Sequence, residues 1–433
     1  MTAVTKPTSD RLLAVTPGAE ASNDLATHLR VHGPLRLPSR PDPAWRAELL
    51  GAIAESGLLG RGGAGFPAFR KWEASTARGR RPVVVVNAME GEPASAKDRV
   101  LLTHAAHLVL DGAEVAAAVV RSPEIVVCVP DHSDAIAASV ERAMAERAAT
   151  GGTRRMSVRR PPGRFVTGEE SALVGWLDGG AARPVLRVDK SVPLRIGRGP
   201  ALVHNAETLA QVALIARHGP AWFRQVGTVE APGTTLVTVT GAVRSPGVVE
   251  VEFGTSVADV LVRAGVAPPL GGVLVGGYGG AWLPAASVDT PYAPGPLAAA
   301  GATQGVGILV ALPTTSCGVA ETARMVRYLA GESAGQCGPC VFGLPAMADD
   351  LEQLWSGRTD DGVLDRLVRR ADAIEGRGAC RHPDGATRLV RSALRVFADD
   401  LRAHAAGRPC AGHAASTVLT FPGTGLGGRR AQA

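Results

Sequence analysis

Arg81–Arg99 reads RPVVVVNAMEGEPASAKDR, and the fold turns on it. Four consecutive valines have no polar face, so they predict a strand buried on both sides. A polar loop follows at once, holding Asn87, Glu90, Glu92, Lys97 and Asp98. Ligands of α/β sheets gather at the carboxyl ends of such strands.

Working outward, residues 43–59 carry Leu49, Leu50, Ile53 and Leu58 at helical spacing. The glycine loop GRGGAGFPAFRKW comes next. Beyond the strand lie a long helix at 100–120, a strand at 124–130, a helix at 133–150 and a strand at 156–162. Two more helices open at GEESALVGWLDGG and NAETLAQVALIARHG. This alternation predicts an α/β domain over residues 43–228, behind a flexible lead at 1–42. Near Gly233 the texture changes to a hairpin, a short capped helix and a further strand, which predicts a β-grasp module at 229–312. Helical patterns at 319–331, 344–356, 360–374 and 384–404 predict a four-helix bundle at 313–407, before a flexible tail at 408–433.

Composition removes several function classes. The net charge of +6 is spread along the chain and aromatics are 4%, too few to stack bases, so no nucleic-acid partner is expected. No run of about 18 uncharged apolar residues offers a membrane span. The opening stretch lacks the basic region and apolar run of a secretion signal, which points to a cytoplasmic protein. Lysine occurs only at 6, 71, 97 and 190, and asparagine only at 23, 87 and 205. In a chain this sparing, each internal copy is expected to have a specific task.

GRGGAG at 60–65 fits the spacing of a dinucleotide fingerprint, yet a helical pattern precedes it where a strand is required. The ordinary Rossmann reading therefore fails. Gly62, Gly63 and Gly65 still leave backbone N–H groups free of Cβ obstruction near an anion, with Lys71 following. A tight turn into a helix is the plain alternative. Gly168, Glu169 and Glu170 sit at a helix start, where capping alone would explain them.

Of six cysteines, Cys128 reads as a buried strand residue. Cys337 and Cys340 form a C-x-x-C pair in GESAGQCGPC, with Ala334 where a third cysteine would complete an iron–sulfur loop, and Cys380 follows in GACRHPDG. Cys317 should stand on the order of 18 Å from that loop and Cys410 on the order of 30 Å from Cys380, so both are poor replacements for the lost ligand unless a chain end folds back. Ser333 could offer an oxygen. For zinc, only His382 has ligand spacing. Thiols that bind nothing remain the alternative.

Taken together, SGLLGRGGAGFPAFRKW, NAMEGEPASAKDR, GRFVTGEESALVGWLDG and HNAETL resemble, in order and spacing, the NADH-binding flavoprotein subunit of respiratory complex I. The diaphorase subunits of NAD-dependent hydrogenases and formate dehydrogenases belong to the same family. The resemblance implies an FMN-binding α/β domain, a soluble-ligand-binding-like β-grasp module and an iron–sulfur bundle. It implies that Gly62, Gly63, Ala64, Gly65 and Lys71 cradle the FMN phosphate. Asn87, Glu90, Gly168, Glu169, Asn205 and Thr208 would hold the flavin and ribityl groups. Phe66 would face NADH, with Glu92 and Glu170 as the catalytic pair. Hydride would pass from NADH to flavin. Single electrons would then reach a [4Fe–4S] cluster, or a three-cysteine variant, at Cys337, Cys340 and Cys380. A ferredoxin-like or [2Fe–2S] partner subunit would follow, and attachment to a membrane complex would come through partners. A cluster-free FMN-dependent NAD(P)H reductase subunit and a non-catalytic docking protein are the alternatives. The chain departs from the family pattern at Met89, Ala94, Ala74, around Lys190, at His204 and at Ala334. FMN contacts are mostly kept and dinucleotide contacts are thinned.

Overall fold

The computed structural model describes residues 11–14, 23–76, 81–151, 154–189, 192–358, 362–414 and 417–422. The valine run forms a buried strand, Val83–Asn87 (β1). It pairs in parallel with Glu124–Cys128 (β2), which pairs in parallel with Arg155–Arg159 (β3). On the other side of β1 the neighbour comes from much later in the chain. Arg195–Ile196 (β4) turns back antiparallel into Gly199–Asn205 (β5), and β5 lies parallel to β1. The order is thus β3-β2-β1-β5-β4. Winding reverses between β1 and β5, the switch point at whose carboxyl ends sheets of this kind form their ligand crevice. The register sets Asn87 opposite Asn205 there.

Helix Ala106–Val120 is buried along almost its whole length and packs on Ala206–Phe223. A Cβ at Gly112 would fall 1.7 Å from the Leu209 carbonyl oxygen, so only glycine permits this approach.

The described parts of the expected lead are docked. Leu12 is fully buried, and the N–H groups of Arg11, Leu12 and Leu13 donate to Glu250 Oε2. Asn23 accepts the Ala106 N–H and donates to the Leu102 carbonyl. Helix Leu25–His32 brings His28 Nε2 to 2.8 Å from Asp111, which Arg147 and Arg217 also pair. The lead's apolar and charged side chains find partners far along the chain, which a local reading of its composition could not register. Lys190 lies outside the described residues.

The second sheet follows the expected module. Thr234–Gly241 (β6) and Gly247–Glu252 (β7) form a hairpin, and helix Val257–Arg263 follows. Leu270–Val275 (β8) and Ala281–Pro284 (β9) pair antiparallel. Ile308–Pro313 (β10) lies between β6, in parallel, and β8, antiparallel.

Helices Gly318–Gly331, Leu344–Trp355, Val363–Ile374 and His382–Val396 build the bundle. The expected helix 384–404 breaks at Phe397, and Ala398–Ala405 continues as a fifth helix. The break has a packing cause. The Phe397 ring turns inward against Trp282, over Gly318, where a Cβ would fall 2.4 Å from it. Residues 417–422 of the expected tail are likewise docked, with the Val418 N–H donating to Glu321. No single helix among the described residues is long and apolar enough to cross a membrane.

Asp111 is 2% exposed, and the His28 hydrogen bond with the Arg147 and Arg217 guanidiniums holds its carboxyl well below the usual range against burial. Asp111→Ala should cost about 3–5 kcal/mol, because it leaves buried Arg217 uncompensated. Urea unfolding measures this loss.

Candidate functional site

The switch-point crevice is floored by a buried polar network. Lys97 is 2% exposed, and its Nζ lies 2.8 Å from Asp98, 2.8 Å from Asn205 Oδ1 and 3.0 Å from Glu207. Asn205 donates to Asp98 at 2.7 Å and to the Asn87 carbonyl. Asn87 donates to the Gly168 carbonyl at 2.9 Å. Three distant segments are thereby fixed against one another at the strand ends.

The glycine loop lies on this floor. Its Arg61 N–H donates to Thr208 Oγ1 at 2.9 Å, and a Cβ at Gly62 would stand 3.5 Å from Asn205 Cβ. Gly63 and Gly65 have φ of +100° and +60°, and a Cβ at Gly65 would meet nothing. The Arg61 side chain points down instead, to Glu207 and the Thr234 carbonyl. Burial pulls its pKa down to about 10.

Lys71 pairs with Glu170 at 2.9 Å and donates to the Val203 carbonyl. Both side chains are partly exposed, so both remain open to a ligand. Phe66, 44% exposed, stands at the rim. Two carboxylates that the resemblance gave to flavin are used by backbone. Glu90 accepts the N–H groups of Asp98 and Arg99. Glu169 caps helix Glu170–Leu177 through the N–H groups of Ser171 and Ala172. The capping alternative therefore holds for Glu169, while Glu170 is free of it.

Glu92 is enclosed where the α/β domain meets the β-grasp module. Its Oε2 accepts the Tyr278 N–H at 3.0 Å, and Gly277 lacks the Cβ that would fall 2.6 Å from that oxygen. Oε1 is buried with no protein partner. Burial pushes the carboxyl up to about 8, so near neutrality it is mostly a protonated acid with a free hydrogen-bonding oxygen.

The cysteine loop abuts the same crevice. The turn Phe165–Gly168 leads directly into Glu169, and the Phe165 N–H donates to Glu332 Oε2 at 2.9 Å. Arg164 donates to the Gly331 carbonyl, and the Phe165 ring packs against His382 at 5.2 Å. Cys340 is buried in the wide helical turn Pro339–Gly343. Burial pushes its thiol up to about 12, nearby Cys337 and Cys380 add to this, and the Ser333 hydroxyl opposes it. Burial also raises the Cys380 thiol, with Glu169 and Cys337 contributing. The structure thus brings Cys337, Cys340, Cys380 and Ser333 together beside the crevice. Ala334 offers no donor. His382 Nε2 donates to the Leu329 carbonyl at 2.7 Å, which leaves its buried Nδ1 without a protein partner.

Sequence families describe the same three regions. Residues 53–214 match the Nuo51 FMN-binding domain, 236–272 the SLBB domain, and 320–404 the NADH-ubiquinone oxidoreductase-F iron–sulfur binding region. An F-type NADH-quinone oxidoreductase subunit of Rhizobium meliloti is 31% identical over 382 residues, covering 84% of this chain and 90% of that protein. The chain belongs to this F-type NADH-quinone oxidoreductase family. NADP-reducing hydrogenase subunit HndC of Solidesulfovibrio fructosivorans is 26% identical, over 87% of this chain and 79% of its own. A chain of an NAD+-reducing [NiFe]-hydrogenase in the H2-reduced state superposes with a TM-score of 0.78 at 30% identity. That match covers 83% of this chain and 63% of the hydrogenase chain. A flavoprotein oxidoreductase of the F type, with FMN and iron–sulfur regions in series, is thereby established.

Sequence reading missed Arg61 and Glu207 beneath the crevice, because one arginine among many carries no signal. It also treated His204 only as a departure. Trp72 Nε1 donates to His204 Nε2 at 2.8 Å, and burial holds that imidazole neutral.

The raised Glu92 carboxyl has a stability consequence. Between its ordinary value of 4.5 and about 8, the folded chain holds a proton that the unfolded chain has lost. Stability from this group is full below that window and falls as pH rises through it. Glu92→Gln should flatten the decline by up to about 1.4 kcal/mol per pH unit. Urea titrations across the window read the difference in slope.

Proposed function

We propose that the crevice over Asn87 and Asn205 is the FMN site, and that NADH enters past Phe66. The Phe165–Glu170 segment carries the reading: it contributes to the crevice at one end and holds the cysteine loop at the other. A flavin phosphate suits the cradle, because Gly63 and Gly65 adopt backbone that side chains disfavour. Lys71 is the adjacent partly exposed cation, shared with Glu170. Asn87, Asn205 and Thr208 fix the floor. Gly168 fixes it through its carbonyl. Glu90 and Glu169 shape the wall by capping helices. Glu92 offers its free Oε1 to a polar group of the bound ligands. Bound FMN supplies the conversion of a two-electron hydride into single electrons; the chain's part is to orient the rings and exclude water.

Three thiols and the Ser333 hydroxyl suit an iron–sulfur cluster with one non-thiolate position. Cys337, Cys340 and Cys380 would be its ligands, and their protons must leave when it binds. Electrons would pass to a ferredoxin-like or [2Fe–2S] partner subunit in the cytoplasm, the membrane being reached through partners.

Purified protein should be yellow and should bleach when NADH is added without oxygen. Gly63→Val places a branched side chain at φ +100° with Val306 3.3 Å away. It should bind FMN at least about tenfold more weakly. Full flavin occupancy in that variant would displace the site.

Ala334→Cys restores a fourth thiolate. It should raise iron content toward four per chain and slow cluster loss in air, since the wild-type fourth iron has no fixed thiolate. Iron analysis with EPR reads both effects. No iron in either protein, after anaerobic reconstitution, would favour the cluster-free reductase.

A further inference from the structure

Cys317 and Cys410, unable to serve the cysteine loop, meet each other. Cys317 caps the start of helix Gly318–Gly331, whose other end leads to that loop. There Cys317 Sγ lies 3.5 Å from His404 Nε2. The ligand atoms of Cys317, His404 and Cys410 all fall within 4.8 Å of one another. A thiolate at about 2.3 Å and an imidazole at about 2.0–2.1 Å from a tetrahedral zinc stand about 3.6 Å apart. A thiol–imidazole hydrogen bond would explain one pair, but not the second thiol on the same atoms.

The local backbone is built for this meeting. Cys410–His413 reads CAGH, a C-x-x-H turn, and the His413 N–H donates to the Cys410 carbonyl. A Cβ at Gly412 would fall 2.4 Å from the Ser316 carbonyl carbon and 2.6 Å from Cys317 N, so glycine lets the turn seat directly on Cys317. The turn brings the His413 ring to 5.4 Å from the His404 ring. Cys317 Sγ also accepts the Ala320 N–H at 3.3 Å.

We propose that Cys317, His404, Cys410 and His413 form a structural zinc site, with His413 completing the set by a side-chain rotation. Two thiolates neutralise the cation, which allows its burial. Cys317, Cys410 and His413 all lie outside the matched iron–sulfur region, and His404 is its last residue. The site clasps the segment after the last helix to the bundle. Residues 417–422 then lie along helix Gly318–Gly331. Arg324 donates to the Leu419 carbonyl, Tyr278 to the Thr420 carbonyl, and Phe421 packs on Tyr278 and Tyr328. Tyr278 and Tyr328 in turn touch Glu92 and Phe165, so the clasp backs the wall of the crevice.

The full-length protein, expressed with added zinc and dialysed, is assayed for zinc, iron and flavin together. About one zinc per chain is expected, with two sulfur and two nitrogen neighbours by zinc-edge X-ray absorption. Cys410→Ser should lose zinc at least about tenfold while keeping its flavin. Cys337→Ser should lose iron and keep zinc, which separates this site from the cluster and from the reading above. Absence of zinc in wild type would overturn the proposal. So would zinc retained in Cys410→Ser, or a Cys317–Cys410 disulfide in freshly purified protein by mass spectrometry.

Discussion

The Lys97 ammonium, sealed beneath the strand ends, is the constraint from which the site follows. Its partners Asp98, Asn205 and Glu207 come from the first turn of helix Lys97–His104, the end of β5 and the helix that follows β5. Glu207 also accepts the Thr235 hydroxyl and the Leu236 N–H of the second sheet, and approaches Arg61 under the glycine loop. Two cations face two carboxylates, so the buried charge closes. Removing any one would strand the rest in a medium that cannot solvate them. Glycine loop, switch point and β-grasp module are therefore locked by one network.

A second lock joins flavin domain to bundle. Glu332 accepts the Phe165 N–H and lies near Arg164. It stands two residues before Ala334, so the loop that lost a thiol kept its docking contact. Position and ligand are separable: the backbone of the cysteine loop is held from outside, and one missing side chain does not release it.

The family departures sort by burial. Met89 is 1% exposed in a small apolar cluster with Val85, Leu173 and Val203, where a carboxylate would need a partner that the cluster lacks. His204 is neutral and bonded to Trp72, on the face of β5 opposite to Asn205. Neither change removes a group from the crevice floor.

Much of this was legible in the sequence. The valine run, the helix–strand alternation and the 233 boundary are local patterns, and their periods dictate the elements. The scarcity of lysine and asparagine marked Lys71, Lys97, Asn87 and Asn205, and each proved to hold several partners. The partners themselves were not legible. Glu207 and Arg61 look like surface charges until β5 is inserted beside β1. The lead around Leu12 and His28 looks unanchored until Glu250 and Asp111 arrive from far along the chain. Cys317 and Cys410 look isolated because their meeting depends on the break at Phe397, which turns the last helix and the CAGH turn back onto the start of another. Local pattern sets the type of each element, but not where the expected helices 100–120 and 384–404 break, at Ala105 and Phe397. Only the packed chain decides which charges and thiols share a space, because burial is a property of the whole.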